Sequence, residues 1–212
     1  MLVPVIFDSQ QYSRSRPPEL GERVRFELFW NDPFARLWAG LRPGWSLTAN
    51  LTATNADTVV HLGSTPEQNT RLQPATATSG GLRFGYTSTI PVPATLTVSG
   101  ALRVTAFDTP NRPPGEPLTA WSNTVDEDRV TTGIVQRLQL VSILNDFRTG
   151  SHVGWHELER IAGTEWFYNL VNPPESLHVY RPAEEPDDRA PRTGFSVPVR
   201  TEILVLDLAV DD

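Results

Sequence analysis

The stretch Thr131–Leu144, TTGIVQRLQLVSIL, is the longest strand-like run in the chain and contains a single Arg. β-Branched residues pack well on a pleated surface and lose rotamer freedom in a helix, so the run reads as a strand. Strict alternation puts Ile134, Leu138 and Leu140 on one face and Val135, Val141 and Ile143 on the other, with Arg137 and Gln139 interrupting the second. A strand apolar on both faces needs cover on both. The run is therefore the central structural strand, pairing near Leu102–Phe107 or with the C-terminal strand. A similar start, SGALRVTAF at Ser99–Phe107, stands before the long loop that precedes it.

The C-terminal run Phe195–Val210 has the same two-faced character. Leu204, Leu206, Leu208 and Val210 share one face, and Ile203, Val205 and Ala209 the other. Near the N-terminus the alternation is one-sided: Val24, Phe26, Leu28 and Trp30 against Arg25, Glu27 and Phe29. Trp45–Thr54 alternates as a half-exposed strand, with Trp45 on its apolar side. Shorter strands are expected at Leu2–Phe7, Thr58–Leu62, Thr70–Gln73, Leu82–Ile90 after a Gly80-Gly81 turn, Thr95–Val98, Trp155–Ile161 and Ser176–Tyr180. Gly100 reads as a bulge within a strand continuing to Phe107, and Asn145–Gly154 as a polar turn.

One short helix is expected at Pro33–Ala39. Asn31-Asp32-Pro33 supplies a cap and a first-turn Pro, and Phe34, Leu37 and Trp38 recur at helical spacing. Its aromatic face would plug an open end of the sheet. The fold class is all-β: an antiparallel β-sandwich or fused small β-barrels with that one helix. Residues 1–107 and 131–212 read as two β halves, separate or of one continuous domain, joined by the Pro- and Asp-rich loop 108–130.

Composition excludes several chemistries. The chain of 212 residues has no Cys, so disulfides and thiolate chemistry are out, and all 18 basic residues are Arg, so no Lys is present for Schiff-base or P-loop chemistry. Net charge is −7, which gives no basic footprint for nucleic acid. Arg14, Arg16, Arg23 and Arg25 lie close together and read as a solvated face. No apolar run is long enough for a membrane span, and MLVPVIFDSQQ lacks the basic start of a signal peptide. A cytoplasmic protein is expected, with no nucleic-acid or membrane partner. The protein or small ligand it meets and its oligomeric state stay open.

Three segments carry a resemblance. TTGIVQRLQLVS, followed about ten residues on by HELERIAGTEWF and preceded far upstream by LGERVRFEL, resembles the layout of small uncharacterised β-rich proteins of high-GC Gram-positive bacteria. Those have a Thr-Gly-Val-Val-Arg-Arg-Ile core strand and a later Trp-Phe pair. The resemblance covers about half the chain, and Gln136 departs from the first Arg of that pattern. It implies no activity.

Candidate chemistry is sparse. His152 and His156 stand four apart and could converge on a metal, although the HExxH order is absent. Glu157 and Glu159 would share a strand face and could act as an acid–base pair on a glycoside. Solvated positions account for all four more simply. Asp126-Glu127-Asp128 lacks the Gly and terminal Glu of a Ca²⁺ loop. No nucleophile elbow, dinucleotide fingerprint or other cofactor motif occurs, so no cofactor is expected. Trp121, Trp155 and Trp166 lie near loops and could form an aromatic platform for a ligand.

The leading expectation is thus a non-enzymatic binding or interaction module, a bacterial accessory or phage-type structural protein. One alternative is a carbohydrate-active or metal-assisted hydrolase using Glu157, Glu159, His152 and His156. Another is an acidic protein inhibitor or immunity factor.

Overall fold

The computed structural model describes residues 1–7, 12, 16–31, 38–61, 70–108, 127–149, 156–180 and 197–211. The strands are β1 (Leu2–Phe7), β2 (Arg23–Phe29), β3 (Ser46–Ala53), β4 (Val59–His61), β5 (Thr70–Ser79), β6 (Leu82–Ser88), β7 (Thr95–Ser99), β8 (Leu102–Asp108), β9 (Val130–Thr149), β10 (His156–Arg160), β11 (Trp166–Asn169), β12 (Val179–Tyr180) and β13 (Val197–Val210). The protein is all-β, built on a closed five-stranded barrel with further strands outside it.

The barrel runs β9–β13–β1–β8–β2 and closes where β2 pairs with the start of β9. Three of its strands lie within residues 1–108 and two follow residue 129. Pairing is antiparallel except at β1–β8 and at the single β2–β6 contact, Phe29 with Gly85, which are parallel. The expected antiparallel pairing holds elsewhere, and these two points depart from it. The parallel pair sets β1 beside β8, with most of the N-terminal half between them in sequence.

The central strand pairs with β13 along almost its whole length, from Gly133–Val210 to Phe147–Val197. Leu102–Phe107 joins β1 and β2 instead. A bulge opposite Asp207 changes the face assignment: Leu208 pairs with Val135 but Leu206 with Leu138. The extra residue flips the alternation. Val135 and Leu138 therefore both face the barrel interior, while Gln136 and Arg137 stand exposed side by side. Simple alternation separates Val135 from Leu138. The expected polar turn from Asn145 is also corrected, because the strand continues to Thr149, held between β13 and β10. Backbone pairing on both edges carries polar side chains that by themselves signal a turn.

The interior is filled by Val3, Val5 and Phe7 from β1, Val24, Phe26 and Leu28 from β2, Leu102 and Val104 from β8, and Leu204, Leu206, Leu208 and Val210 from β13. Burying one large aromatic here is worth about 3–5 kcal/mol, judged by Phe-to-Ala truncation in protein cores. The alternations of β2 and β13 thus appear as read, including cover on both faces of β13. Its outer face, Ile203 and Val205, packs with Ile6, Val141 and Ile143 under Trp38, Leu41 and Ala101. Trp38 covers the outside of the barrel and does not plug an end. Most of the expected helix lies outside the described residues, and its described end is a 3₁₀ turn, Ala39–Leu41.

Beyond β2 the sheet continues as β6–β5–β3–β7, with β4 on β5. The Thr131 hydroxyl makes the junction. It donates to the Arg83 carbonyl at 2.7 Å and accepts from the Arg83 N–H at 2.8 Å, replacing a ladder step between β9 and β6. Ala49, Ala77, Leu82, Phe84 and Val98 from this sheet join the same core as the barrel interior. Trp45 is partly buried against that core, and its indole N–H donates to the Leu2 carbonyl at 3.2 Å. Gly100 is not a bulge inside one strand. At φ 83° it makes the bend that ends β7, paired with β3, before β8 enters the barrel.

Candidate functional site

The edge of β9 opposite β13 is covered in turn by β2, β11 and β10. β10 and β11 together form one edge strand with a break. Arg160 pairs with Asn145 and Trp166 with Ser142, so the edge carries an excess loop at 162–165. Thr164 secures it by accepting from the Leu144 N–H and donating to the Ile161 carbonyl.

All four residues of β11 are exposed. Trp166 is 58% exposed, Phe167 45% and Tyr168 47%, an uncommon run for an edge, where charge or Pro normally discourages further pairing. The Leu170 N–H donates to the Leu138 carbonyl. By the two-residue period, the peptide groups of Tyr168 and Trp166 also face β9, and those of Phe167 and Asn169 face outward. Among the described residues no strand pairs with that outer side.

Two polar clusters flank the edge. On one face the Arg200 guanidinium from β13 reaches across β9, 3.3 Å from the Ser142 hydroxyl, and lies over the Trp166 ring at 4.7 Å. Glu202, two residues on, accepts from the His178 N–H at 3.0 Å. Tyr12 donates to the Pro174 carbonyl at 2.7 Å and packs edge-to-face on Phe7. Burial, and then the Glu202 carboxylate, push its phenol well above the usual tyrosine value. The Ser176 hydroxyl and His178 ring are 3.3 Å apart, a nucleophile–base pairing in type. The Glu202 carboxylate goes to the His178 backbone, however, so it does not orient the imidazole as a third group would.

On the other face, Asp207 receives two guanidiniums. Arg42 Nε donates to it at 3.1 Å and Arg137 Nε at 2.7 Å. Arg42 also donates to Gln139, whose amide donates to Asn169 of β11 at 2.7 Å. The network fastens the end of β11 to the barrel. Arg42 and Asp207 are largely buried, while Arg137 is half-exposed.

Of the residues singled out in the sequence, Trp166 lies on this edge. Trp121, Trp155 and His152 lie outside the described residues. His156, Glu157 and Glu159 are on β10, with backbones paired to Thr149, Arg148 and Asp146. Among the described residues no group of three potential metal ligands occurs. Glu127 is engaged by Arg25 at 2.6 Å, and Arg16 by Glu19 and Glu22, consistent with a solvated ionic face. Arg200, Asp207, Arg42 and Tyr12 were not singled out from the sequence. The available signal is charge inside a largely apolar strand, where Arg200, Glu202 and Asp207 interrupt VPVRTEILVLDLAV.

The chain matches no family model, no curated protein and no solved structure.

Proposed function

We propose that the chain is a non-enzymatic interaction module that docks an extended segment of another protein along β11. The observation that carries this is the run Trp166-Phe167-Tyr168, exposed on a sheet edge whose outward peptide groups face no described strand. Strand addition draws affinity from main-chain hydrogen bonds and specificity from alternate side chains. Both are on offer here, from Phe167 and Asn169 and from the aromatic side chains. The barrel is the rigid platform, and we read the β6–β5–β3–β7 sheet as the second layer of a sandwich-like body against it.

Phe167→Pro tests the reading. It removes an outward N–H while leaving the ladder to β9 complete. Peptides selected from a random displayed library on the wild-type chain should lose binding to Phe167→Pro and keep it to Phe167→Val. Equal binding to all three chains would contradict the reading.

A further inference from the structure

We infer that the segment taken by β11 carries a carboxylate side chain received by Arg200; this rests on the reading of β11 as a docking edge. Arg16, Arg23, Arg25, Arg42 and Arg137 each pair with a carboxylate. Arg200 differs. Its contacts are the Trp166 ring and the Ser142 hydroxyl, and among the described residues no carboxylate lies within ion-pairing distance of it. The acid nearest along its strand face, Glu202, is turned to the His178 backbone. On a chain of net charge −7, a half-buried guanidinium left without an acid beside exposed aromatics is a local reversal of sign.

The placement of the guanidinium over the Trp166 ring suits a carboxylate. A guanidinium over an indole uses its flat face for the ring, and its five N–H donors lie in its own plane. The donors not given to the Ser142 hydroxyl stay available for a bidentate partner. The distance also fits. Strands in a sheet lie about 4.8 Å apart, so a strand added to β11 would run roughly 14 Å from β13. Arg200 already spans the distance to Trp166, and an Asp or Glu reaching back from the added strand closes the rest.

Pleat parity fixes where that acid stands. Residues of the added strand opposite Trp166 and Tyr168 share the Arg200 face, and those opposite Phe167 and Asn169 point to the other. The segment therefore carries its acid opposite Trp166 and an apolar residue opposite Phe167.

The experiment is selection of a random displayed peptide library on the full chain. The selected peptides are then synthesised with each acid replaced by its amide, and binding is measured to wild type, Arg200→Gln and Phe167→Pro. The expected result is selected peptides in which acidic and apolar residues alternate. Replacing the acid, or Arg200→Gln, should weaken binding about tenfold or more, and the two changes together should add little, as for a charge-assisted pair. Peptides that depend on the Phe167 N–H but show no acid preference would overturn this inference and leave β11 as the docking edge. Peptides indifferent to Phe167→Pro would overturn both. A wild-type dimer that Phe167→Pro converts to monomer would also overturn it, since β11 would then be pairing with a second copy that brings no acid opposite Trp166.

Discussion

Gly133 lies so close to β13 that a methyl group on its Cα would stand 2.4 Å from the Ala209 carbonyl oxygen and 2.9 Å from the Leu208 side chain. The contact sits beside the pairing of β2 with β9, where the barrel closes. The obstruction is mainly backbone, which cannot swing aside like a side chain. Gly133→Ala is therefore expected to lower stability by about 2–3 kcal/mol, as overpacking of a tight core does, which for a chain of this size is a fall in Tm of roughly 5–10 °C. Thermal unfolding followed by circular dichroism checks this. An unchanged Tm would mean that closure is looser than described.

Asp207 holds two guanidiniums, so its loss and the loss of either partner are not equivalent. Asp207→Asn leaves Arg42 largely buried without its counter-charge and is expected to cost about 3 kcal/mol. Arg137→Gln removes a half-exposed partner and should cost under about 1 kcal/mol. Urea unfolding of the two variants gives the comparison. Equal losses would contradict the burial difference between the two cations.

Tyr12 gives a pH prediction. Its phenol is raised by burial and by Glu202, so the folded state retains the proton to higher pH than the unfolded state. A raised pKa contributes stability that is complete below the unfolded value, about 10, and is lost as pH climbs from there toward the folded value. Wild type should lose more stability than Tyr12→Phe on going from pH 9 to pH 11. At neutral pH Tyr12→Phe should cost only about 1 kcal/mol for the bond to Pro174. Chemical denaturation at the two pH values tests the sign, and parallel losses in both chains would contradict it.

Much of the barrel is legible in the sequence because β2 and β13 keep one period from end to end. Val24, Phe26 and Leu28, and Ile203, Leu204, Val205, Leu206, Leu208 and Val210 on the two faces of β13, read directly as buried. The bulge at Asp207 is not legible. One extra residue in β9 has no local marker, and its effect on Val135 and Leu138 depends on a partner strand about seventy residues away in the chain. The end of β9, Asn145–Thr149, is strand for a similar reason: its backbone is paired on both sides, to β13 and to β10, strands that come later in the chain. At the candidate site, Trp166 is visible as part of an aromatic cluster. Arg200 acquires meaning only when β13 and β11 come to lie either side of β9, and Arg42 meets Asp207 from 165 positions away.

Trp166 and Arg200 are exposed or half-exposed, so neither should matter much to folding. Trp166→Ala and Arg200→Gln are each expected to change stability by no more than about 0.5–1 kcal/mol while strongly reducing binding of a peptide selected on wild type. Measuring both quantities on the same samples separates docking from packing. A large loss of stability in either variant would assign the pair to the fold.

The most direct measurement is residue-resolved. A selected peptide is added to the isotope-labelled chain, and backbone amide signals and their hydrogen exchange are followed by NMR. The account predicts that the amides of Phe167 and Asn169 shift and become protected, as outward groups newly paired to an added strand, while those of Trp166 and Tyr168, already bonded to β9, gain little protection. Binding that leaves Phe167 and Asn169 unprotected and alters amides elsewhere would contradict it.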